Sequence, residues 1–233
     1  MKLAIFIPAY NEQDTIGPMI SAIPRHFWGI KEYKIFVIDD GSTDKTAHIA
    51  RTSGAQVIEI TPNRGLANAF NTGLSTCLDW GADVIAHLDA DGQYDPSEIP
   101  KVIEPVLKGQ ADMVIGDRQI AHLTFMPPVK KYGNLFGSWF LRILAGLKVN
   151  DVSSGFRAYS ATAAGKLTVN SGHTYTHETL IRARRLRLRI TQVPITFTAR
   201  KNGPSRLISG NLAVLKHIAK SVKGIFGALL GHG

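Results

Sequence analysis

Short apolar runs alternate with helically spaced stretches through the first half of this chain. Residues 3–8, 34–38, 56–60, 83–88 and 113–115 each read as a buried strand. Between them, 14–25 carries Ile16, Met19, Ile20 and Ile23 at helical spacing, 43–53 reads as a helix with Ser42 or Thr43 as N-cap, and 66–80 is helical. Residues 96–107 form a further helix, opened by Asp95 as cap and Pro96 in its first turn. The second half is less regular. Residues 130–147 form a helix bearing Phe136, Trp139, Phe140 and Ile143, and 151–160 is a glycine-containing loop leading into a short strand. Residues 176–186 are helical. From Leu186 the alternation of Leu186, Leu188 and Ile190 with Arg187, Arg189 and Thr191 predicts a half-buried strand, and 211–230 a terminal helix. No internal repeat or low-complexity segment interrupts the pattern.

Strands alternating with helices imply parallel βαβ units joined by right-handed crossovers, hence an open sheet covered on both faces. Ligands of such sheets bind at the carboxyl ends of the strands. Three of those ends carry carboxylates: Pro8-Ala9-Tyr10-Asn11-Glu12, Asp39-Asp40-Gly41-Ser42-Thr43-Asp44 and Asp89-Ala90-Asp91-Gly92-Gln93. Carboxylates crowded on one edge repel and are costly to desolvate. A divalent cation resolves the conflict. Asp89 and Asp91 flank one residue and can aim at a single hard ion, Mg²⁺ or Mn²⁺, that keeps open positions for water or phosphate. Taken alone, Asp-x-Asp is also a common turn, and Asp44 is also a helix cap. Their placement on successive strand ends is what favours a site.

Charge sharpens this. The 233 residues carry a net +9, with 27 Lys/Arg against 18 Asp/Glu. Residues 1–117 hold nine bases and sixteen acids, a balance of −7. Residues 118–233 hold eighteen bases and two acids, Asp151 and Glu178, a balance of +16. An acidic half followed by a basic half suggests two ligands or surfaces, such as metal and phosphate, although long basic residues also coat solvated faces. One cysteine, Cys77, excludes an intramolecular disulfide framework and reads as a small buried hydrophobe. No apolar run approaches the about 18 residues of a spanning helix, and the first apolar run follows Met-Lys directly, as a core strand rather than a signal peptide.

The three strand-end motifs, the second of them as Val37-Ile38-Asp39-Asp40-Gly41-Ser42-Thr43-Asp44, resemble glycosyltransferase family 2. Gly116-Asp117-Arg118, Asp151-Val152-Ser153-Ser154-Gly155-Phe156-Arg157, Val193-Pro194-Ile195-Thr196-Phe197 and Arg200-Lys201-Asn202-Gly203-Pro204-Ser205-Arg206-Leu207 resemble its dolichol-phosphate mannose synthase branch. The resemblance runs from about residue 3 to 207. It implies an α/β GT-A fold, a Rossmann-like, mostly parallel sheet with helices on both faces, as a catalytic domain over 1–207 followed by an amphipathic helix over 208–233. It further implies an inverting, metal-dependent transferase that moves one sugar, mannose first among the candidates, from a nucleotide sugar (GDP-mannose or a UDP-hexose) to a polyprenyl phosphate such as dolichyl phosphate.

By that resemblance Pro8, Tyr10 and Glu12 line the nucleotide site and Asp39 contacts base or ribose. Asp89, Ala90, Asp91 and Gln93 take the donor diphosphate, with Asp89, Asp91 and Gln93 holding Mg²⁺ or Mn²⁺. Arg200 and Arg206 close over the diphosphate. Arg118 lies near the sugar and the acceptor phosphate; Lys130 and Lys131 meet that phosphate or cap the following helix. A guanidinium suits phosphate oxygens because it bonds them bidentately. Asp91, Arg118 and Glu178 are the expected catalytic residues. Asp151 and Glu178 are expected to orient arginines or the sugar, the alternatives being an N-cap and a helix salt bridge; Arg182 through Arg189 are read as surface charge.

An acceptor phosphate is already anionic and needs no general base, whereas a sugar hydroxyl does. The competing reading, a family member acting on a sugar hydroxyl or other non-lipid acceptor, would look to Glu178 as base. A nucleotide-sugar-binding module without catalysis and a nucleotidyltransferase rank lower: the Asp89/Asp91 pair and the arginines are intact, and no glycine-rich phosphate loop follows the first strand. Three departures qualify the family pattern. No membrane-spanning helices follow the catalytic segment as in some relatives. Arg206 stands where lysine is more usual. The Gln-x-x-Arg-Trp motif of processive synthases is absent, which favours single-sugar transfer. In the terminal segment Leu212, Leu215, Ile218, Ala219, Val222, Ile225, Phe226 and Leu229 share one arc bordered by Lys216, Lys220 and Lys223, the pattern of an interfacial helix or of one packed on protein. The expected location is cytoplasmic, peripheral at the cytoplasmic face of a membrane. Nucleic acid is not an expected partner, for want of a motif or a stacking platform.

Overall fold

Strand β1 (Lys2–Ala9) is buried from Leu3 to Ala9, and its side chains divide cleanly between two cores. Leu3, Ile5 and Ile7 enter one apolar cluster, and Ala4 and Phe6 enter the other. A strand buried on both faces is what a parallel sheet sandwiched by helices requires. The computed structural model describes residues 1–169 and 175–200. The expected site residue Arg206, the 201–207 part of its motif and the helix expected over 211–230 lie outside the described residues.

In chain order the elements are β1, α1 (Ile16–Ser21), β2 (Glu32–Asp39), α2 (Thr46–Thr52), β3 (Gln56–Glu59), α3 (Leu66–Asp79), β4 (Val84–His87), α4 (Ile99–Leu107), β5 (Met113–Asp117), α5 (Pro128–Ala145), β6 (Arg157–Ser160), α6 (Ala161–Ala164), α7 (Tyr175–Arg185) and β7 (Ile190–Pro194). The seven strands form one sheet in the order β3-β2-β1-β4-β6-β5-β7. All pairings are parallel except those of β6, which lies antiparallel between β4 and β5. This is the expected α/β architecture with one reversed strand. Phe6, Phe70, Leu74, Tyr159 and Leu180 fill the core under α3 and α7; Ile16, Ile20, Val102 and Ile103 fill the core under α1 and α4. Cys77 is buried in α3, and burial pushes its thiol pKa up.

Three local expectations are corrected. Helix α1 starts at Ile16, because residues 12–15 form a turn in which the Glu12 carbonyl accepts from the Thr15 and Ile16 amides. Neither Ser42 nor Thr43 caps α2. That helix begins at Thr46, where Asp44 Oδ1 accepts the Thr46 amide at 2.9 Å, while Ser42 and Thr43 reach back to Asn11. The strand expected from Leu186 begins only at Ile190, since Arg187 takes a left-handed turn (φ 54°) and β5, the partner strand, starts opposite Ile190. The opening of the fourth long helix is as expected: Asp95 accepts the Ser97 amide at 2.9 Å over a 3-10 turn that leads into α4.

Gly73 of α3 lies against the ring of Phe6. A Cβ there would sit 2.9 Å from Phe6 Cγ and closer still to the ring edge. Phe6 is enclosed by the second core and cannot yield. Gly73→Ala is therefore expected to cost about 1–3 kcal/mol despite alanine's better helix propensity. Urea unfolding would show this as a lower midpoint at unchanged slope.

Candidate active site

The carboxyl ends of β1, β2 and β4 come together as one edge, held by bonds between their turns. The Asn11 amide donates to Ser42 Oγ (2.8 Å), the Thr43 amide to Asn11 Oδ1 (2.7 Å) and the Glu12 amide to Thr46 Oγ1 (2.8 Å). Thr15 Oγ1 donates to the Ala90 carbonyl at 2.7 Å, joining the β4 turn to the same frame. Asn11 adopts a left-handed φ of 54° to make its turn, a conformation asparagine tolerates better than most residues. Pro8 is buried one residue before the end of β1, and Tyr10 stands out at the edge, 41% exposed.

Asp39 and Asp40 are both buried, and both serve backbone amides. Asp39 Oδ1 accepts from Ser42 (3.0 Å), and the two Asp40 oxygens accept from Arg64 and Gly65 (2.8 Å each). Gly41, φ +78°, lets the chain pass so close that a Cβ would lie 2.9 Å from the Asn63 amide nitrogen. Asp40 thus ties the 63–65 loop to the edge, a role the sequence reading did not assign.

Asp89 and Asp91 behave differently. Burial and the neighbouring Asp91 push the Asp89 carboxyl up to about 7, against the opposing pull of the Tyr175 hydroxyl, Arg118 and Arg157. Asp91 is also raised, first by burial and then by Glu12, although the Gln93 amide (3.1 Å), Arg200 and Lys130 oppose the shift. Tyr175 Oη donates to Asp89 Oδ1 at 3.2 Å. A Cβ on Gly155 would lie 2.7 Å from Asp89 Cγ, so this glycine is required for the carboxylate to fit. Beneath Asp89, His87 is fully buried, stacked on Phe6 at 4.6 Å, and neither ring nitrogen has a hydrogen-bond partner among the described residues. Burial and then Arg157 push its pKa down to about 3, so it is neutral near pH 7 and brings no charge to Asp89, 3.9 Å away.

Two adjacent carboxylates that resist ionisation suit a divalent cation, whose charge supplies what the protein does not. Among the described residues no group of three His, Cys, Asp or Glu side chains could hold a metal, and Asp89 with Asp91 is the carboxylate pair at this edge. The Gln93 side chain is oriented by Nε2, which donates to the Thr198 carbonyl (2.9 Å), and the Gln93 backbone carbonyl accepts from the Thr198 amide (2.9 Å), while neither bond uses the Oε1 oxygen through which an amide binds a metal. It fastens the segment leading to Arg200 beside the Asp91 turn.

The cations gather around this pair. Arg118 and Asp151, both buried, form a bidentate ion pair, Nε to Oδ2 at 2.6 Å and Nη2 to Oδ1 at 2.8 Å, and the Arg118 amide adds a bond to Oδ2 at 3.2 Å. Burial works against both charges, yet each holds the other ionised: Arg118 is raised and Asp151 lowered. The guanidinium also lies over the Phe197 ring, 5.1 Å from its centroid. Asp151 is therefore the orienting acid for Arg118. Arg200 is ion-paired with Glu12. Lys130 is close enough to Arg118, Asp91 and Arg200 to feel all three, and its pKa is lowered, chiefly by burial and then by Arg118. The Lys131 ammonium donates to the Leu123 carbonyl at 2.9 Å, a tie at the start of α5. Glu178 is buried in the first turn of α7. Arg189 binds Asp112, and Arg184 lies against the Ala145 carbonyl, both away from this edge. A cavity of about 370 Å³ adjoins the Arg118–Asp151 pair, with Asp151, Ile120, Leu135, Trp139 and Arg142 in its wall.

The sequence reading quoted Arg157 within a motif but gave it no role. Wholly buried, it donates to the Ser154 carbonyl (2.8 Å), the Val152 carbonyl (3.0 Å), the Thr176 carbonyl (2.9 Å) and Thr179 Oγ1 (2.7 Å). It staples the 152–157 turn, and with it Asp151 and Gly155, to the start of α7. Tyr94 adds a second clasp by accepting the Gly155 amide at 2.8 Å. The available signal was Arg157's position in an apolar strand two residues after an apparently free glycine.

A family model described as Glycosyl transferase family 2 matches residues 4–168. An undecaprenyl-phosphate mannosyltransferase of Micrococcus luteus is 32% identical over 225 residues, covering 90% of this chain and 89% of the relative. A UDP-N-acetylglucosamine–dolichyl-phosphate N-acetylglucosaminyltransferase of Methanococcus voltae is 33% identical over 213 residues, covering 82% and 83%. In structure, the chain is similar to glucosyl-3-phosphoglycerate synthase of Mycobacterium tuberculosis in complex with Mn²⁺, UDP-glucose and glycerol 3-phosphate, with a TM-score of 0.72, 24% identity and coverage of 99% and 79%.

Two outcomes follow from the raised Asp89 pKa and one from the Arg118–Asp151 pair. Because Asp89 keeps its proton up to about pH 7, Mn²⁺ affinity should tighten as pH rises toward that value and level off above it. The same raised pKa means the metal-free fold binds this proton more tightly than the unfolded chain, so metal-free stability should fall from about pH 4 to about pH 7. Calorimetric Mn²⁺ titration and thermal unfolding across that range test both; pH-independent affinity would contradict the first. Removing one partner of a buried ion pair strands the other: Asp151→Asn should cost about 3–5 kcal/mol in chemical denaturation, and adding Arg118→Met should recover much of it.

Proposed function

Because the chain belongs to glycosyltransferase family 2, in the branch similar to dolichol-phosphate mannose synthases, we propose that it moves one hexose from a nucleotide diphosphate sugar to a polyprenyl phosphate, with inversion at the sugar and mannose as the first sugar to test. The observation that carries this reading is the cationic subsite beside the carboxylate pair: Arg118 held by Asp151, with Lys130 within the field of Arg118, Asp91 and Arg200. Asp89 and Asp91 answer a metal-bound diphosphate, and the cations answer a second phosphate brought close to the first. The relatives from Micrococcus luteus and Methanococcus voltae, named for polyprenyl-phosphate acceptors, support the reading.

In this reading Pro8, Tyr10, Glu12 and Asp39 border the nucleotide, with Glu12 holding Arg200 ready for the diphosphate. A bound Mg²⁺ or Mn²⁺ supplies charge neutralisation for the departing nucleoside diphosphate. Arg118 orients the acceptor phosphate and balances its charge as it nears the donor. Lys130 lowers the repulsion between the two phosphate groups. The acceptor oxygen is anionic at neutral pH, so no proton need be removed from it. The apolar part of the cavity wall, Ile120, Leu135 and Trp139, offers cover for the first prenyl units. Arg206 would join Arg200, and Glu178 would brace the sugar side.

The test is a transfer assay. The protein, Mn²⁺ or Mg²⁺, a short polyprenyl phosphate and labelled GDP-mannose, UDP-glucose or UDP-N-acetylglucosamine are incubated and extracted into organic solvent. Label should enter the organic phase from one donor. Asp91→Ala and Arg118→Met should each lower the rate by about 100-fold or more. Donor binding with metal but no label in lipid would reject the polyprenyl acceptor and turn attention to a hydroxyl acceptor with Glu178 as base.

A further inference from the structure

Helix α5 carries Val129, Tyr132, Phe136, Trp139 and Ile143 at steps of three and four residues, and every one is more than half exposed, from 54% at Trp139 to 68% at Tyr132. Phe125, 42% exposed, extends the line before the helix begins. Phe136 packs on Trp139 at 5.7 Å and stacks on Phe140 at 6.3 Å, so the side chains form one aromatic ridge. The other side of the helix buries Ser138 and Leu141, and Lys131 ties its first turn to Leu123. The helix is thus anchored to the body with its larger apolar face turned outward. Soluble chains rarely leave a contiguous stripe of this kind without a partner.

The charge around the stripe limits what that partner is. From residue 119 to 150 there is no Asp or Glu, while Lys130, Lys131, Arg142 and Lys148 are all cationic. Arg184 adds a guanidinium at the helix end, against the Ala145 carbonyl at 3.3 Å. A second copy of the same stripe would bring like charges together. An apolar layer edged by anions matches both features at once, and it is a lipid bilayer with anionic headgroups. The stripe also begins beside Lys130, whose ammonium shares the field of Arg118 and Asp91. Docking here would set the headgroup plane next to the cationic subsite.

We propose that the exposed face of α5 is a membrane-docking surface that seats Tyr132, Phe136, Trp139 and Ile143 in an anionic bilayer. The proposal concerns the surface and holds whichever acceptor the site uses. Its test uses the full chain and vesicle flotation without donor or acceptor. The protein should float with phosphatidylcholine–phosphatidylglycerol vesicles and much less with phosphatidylcholine alone, and salt should weaken binding. The double variant Phe136→Ser/Ile143→Ser should bind about tenfold or more weakly while keeping its unfolding midpoint and its turnover on a short, soluble prenyl phosphate. Failure of the wild-type chain to float, or equal flotation of the variant, would overturn the proposal. So would a dimer in light scattering that the variant dissolves, which assigns the face to a second copy. A variant that lowers the unfolding midpoint with no vesicle binding in either protein would assign the face to residues 201–233 of the same chain.

Discussion

Two carboxylates on either side of a single residue, at the end of a strand buried on both faces, are the constraint from which the rest of this edge follows. Asp89 and Asp91 cannot both be charged at little cost where they stand, and Asp89 is pushed up to about 7. Three features of the fold answer that cost without cancelling it. Arg118 and Arg157 stand near enough to oppose the shift, Tyr175 gives Asp89 one hydrogen bond, and Arg200 with Lys130 opposes it at Asp91. His87, the residue best placed to neutralise Asp89 fully, is kept neutral by burial. A site left short of positive charge in this way is matched to an added divalent ion rather than to a finished salt bridge.

The reversed strand explains how distant residues reach that edge. By lying antiparallel between β4 and β5, β6 starts at the same end of the sheet where β4 finishes, with Arg157 opposite His87. The turn just before it therefore falls against Asp89, which is why position 155 has no room for a side chain and why Asp151 can reach Arg118 at the end of β5. Arg157 fixes that turn with four donated bonds to three carbonyls and one hydroxyl rather than with a carboxylate. The choice preserves its charge for the field at Asp89. Had Arg157 met an acid, the pair would have cancelled locally and the Asp89 pKa would stand higher still.

The helices and parallel strands were legible because their periodicities are long and their ends carry recognisable turn chemistry, as at Asp95 and Pro96. The reversal of β6 was not, because four residues, Arg-Ala-Tyr-Ser, hold no directional signal and pairing is decided by the neighbours. The Leu186–Ile190 alternation misled for a related reason: alternation without a facing strand does not make a strand. At the candidate site, strand-end spacing put Asp89 and Asp91 forward and the family resemblance put Arg118 forward, and backbone position brings all three to the edge. Spacing could not tell Lys130 from Lys131, because neighbours on a helix point about 100° apart and only tertiary contacts say which way. Gln93 read as a ligand by its place in a motif, and only the fold shows that its amide nitrogen also fastens the Thr198 segment.

The division of charge along the chain acquires a physical meaning once partners are assigned. Of the sixteen acids of the first half, several are engaged by backbone amides, among them Asp39 by Ser42, Asp40 by Arg64 and Gly65, Asp44 by Thr46, and Asp95 by Ser97. Those acids build turns, and the negative balance of that half overstates what is left for a ligand. The basic half differs, because acids are scarce throughout it: between Asp117 and Asp151 none occurs, and the cations of that stretch divide between the active edge and the rim of α5. Arg118 is buried against Asp151, Lys130 is exposed within the field of Asp91, and Arg142 is exposed beside the apolar stripe. A single helix thus links a phosphate-sized concentration of positive charge to an outward apolar face. Neither feature requires the other for folding. Their junction at Lys130 is what an enzyme would need if its acceptor's charged head and greasy tail must be met by adjoining surfaces of one element.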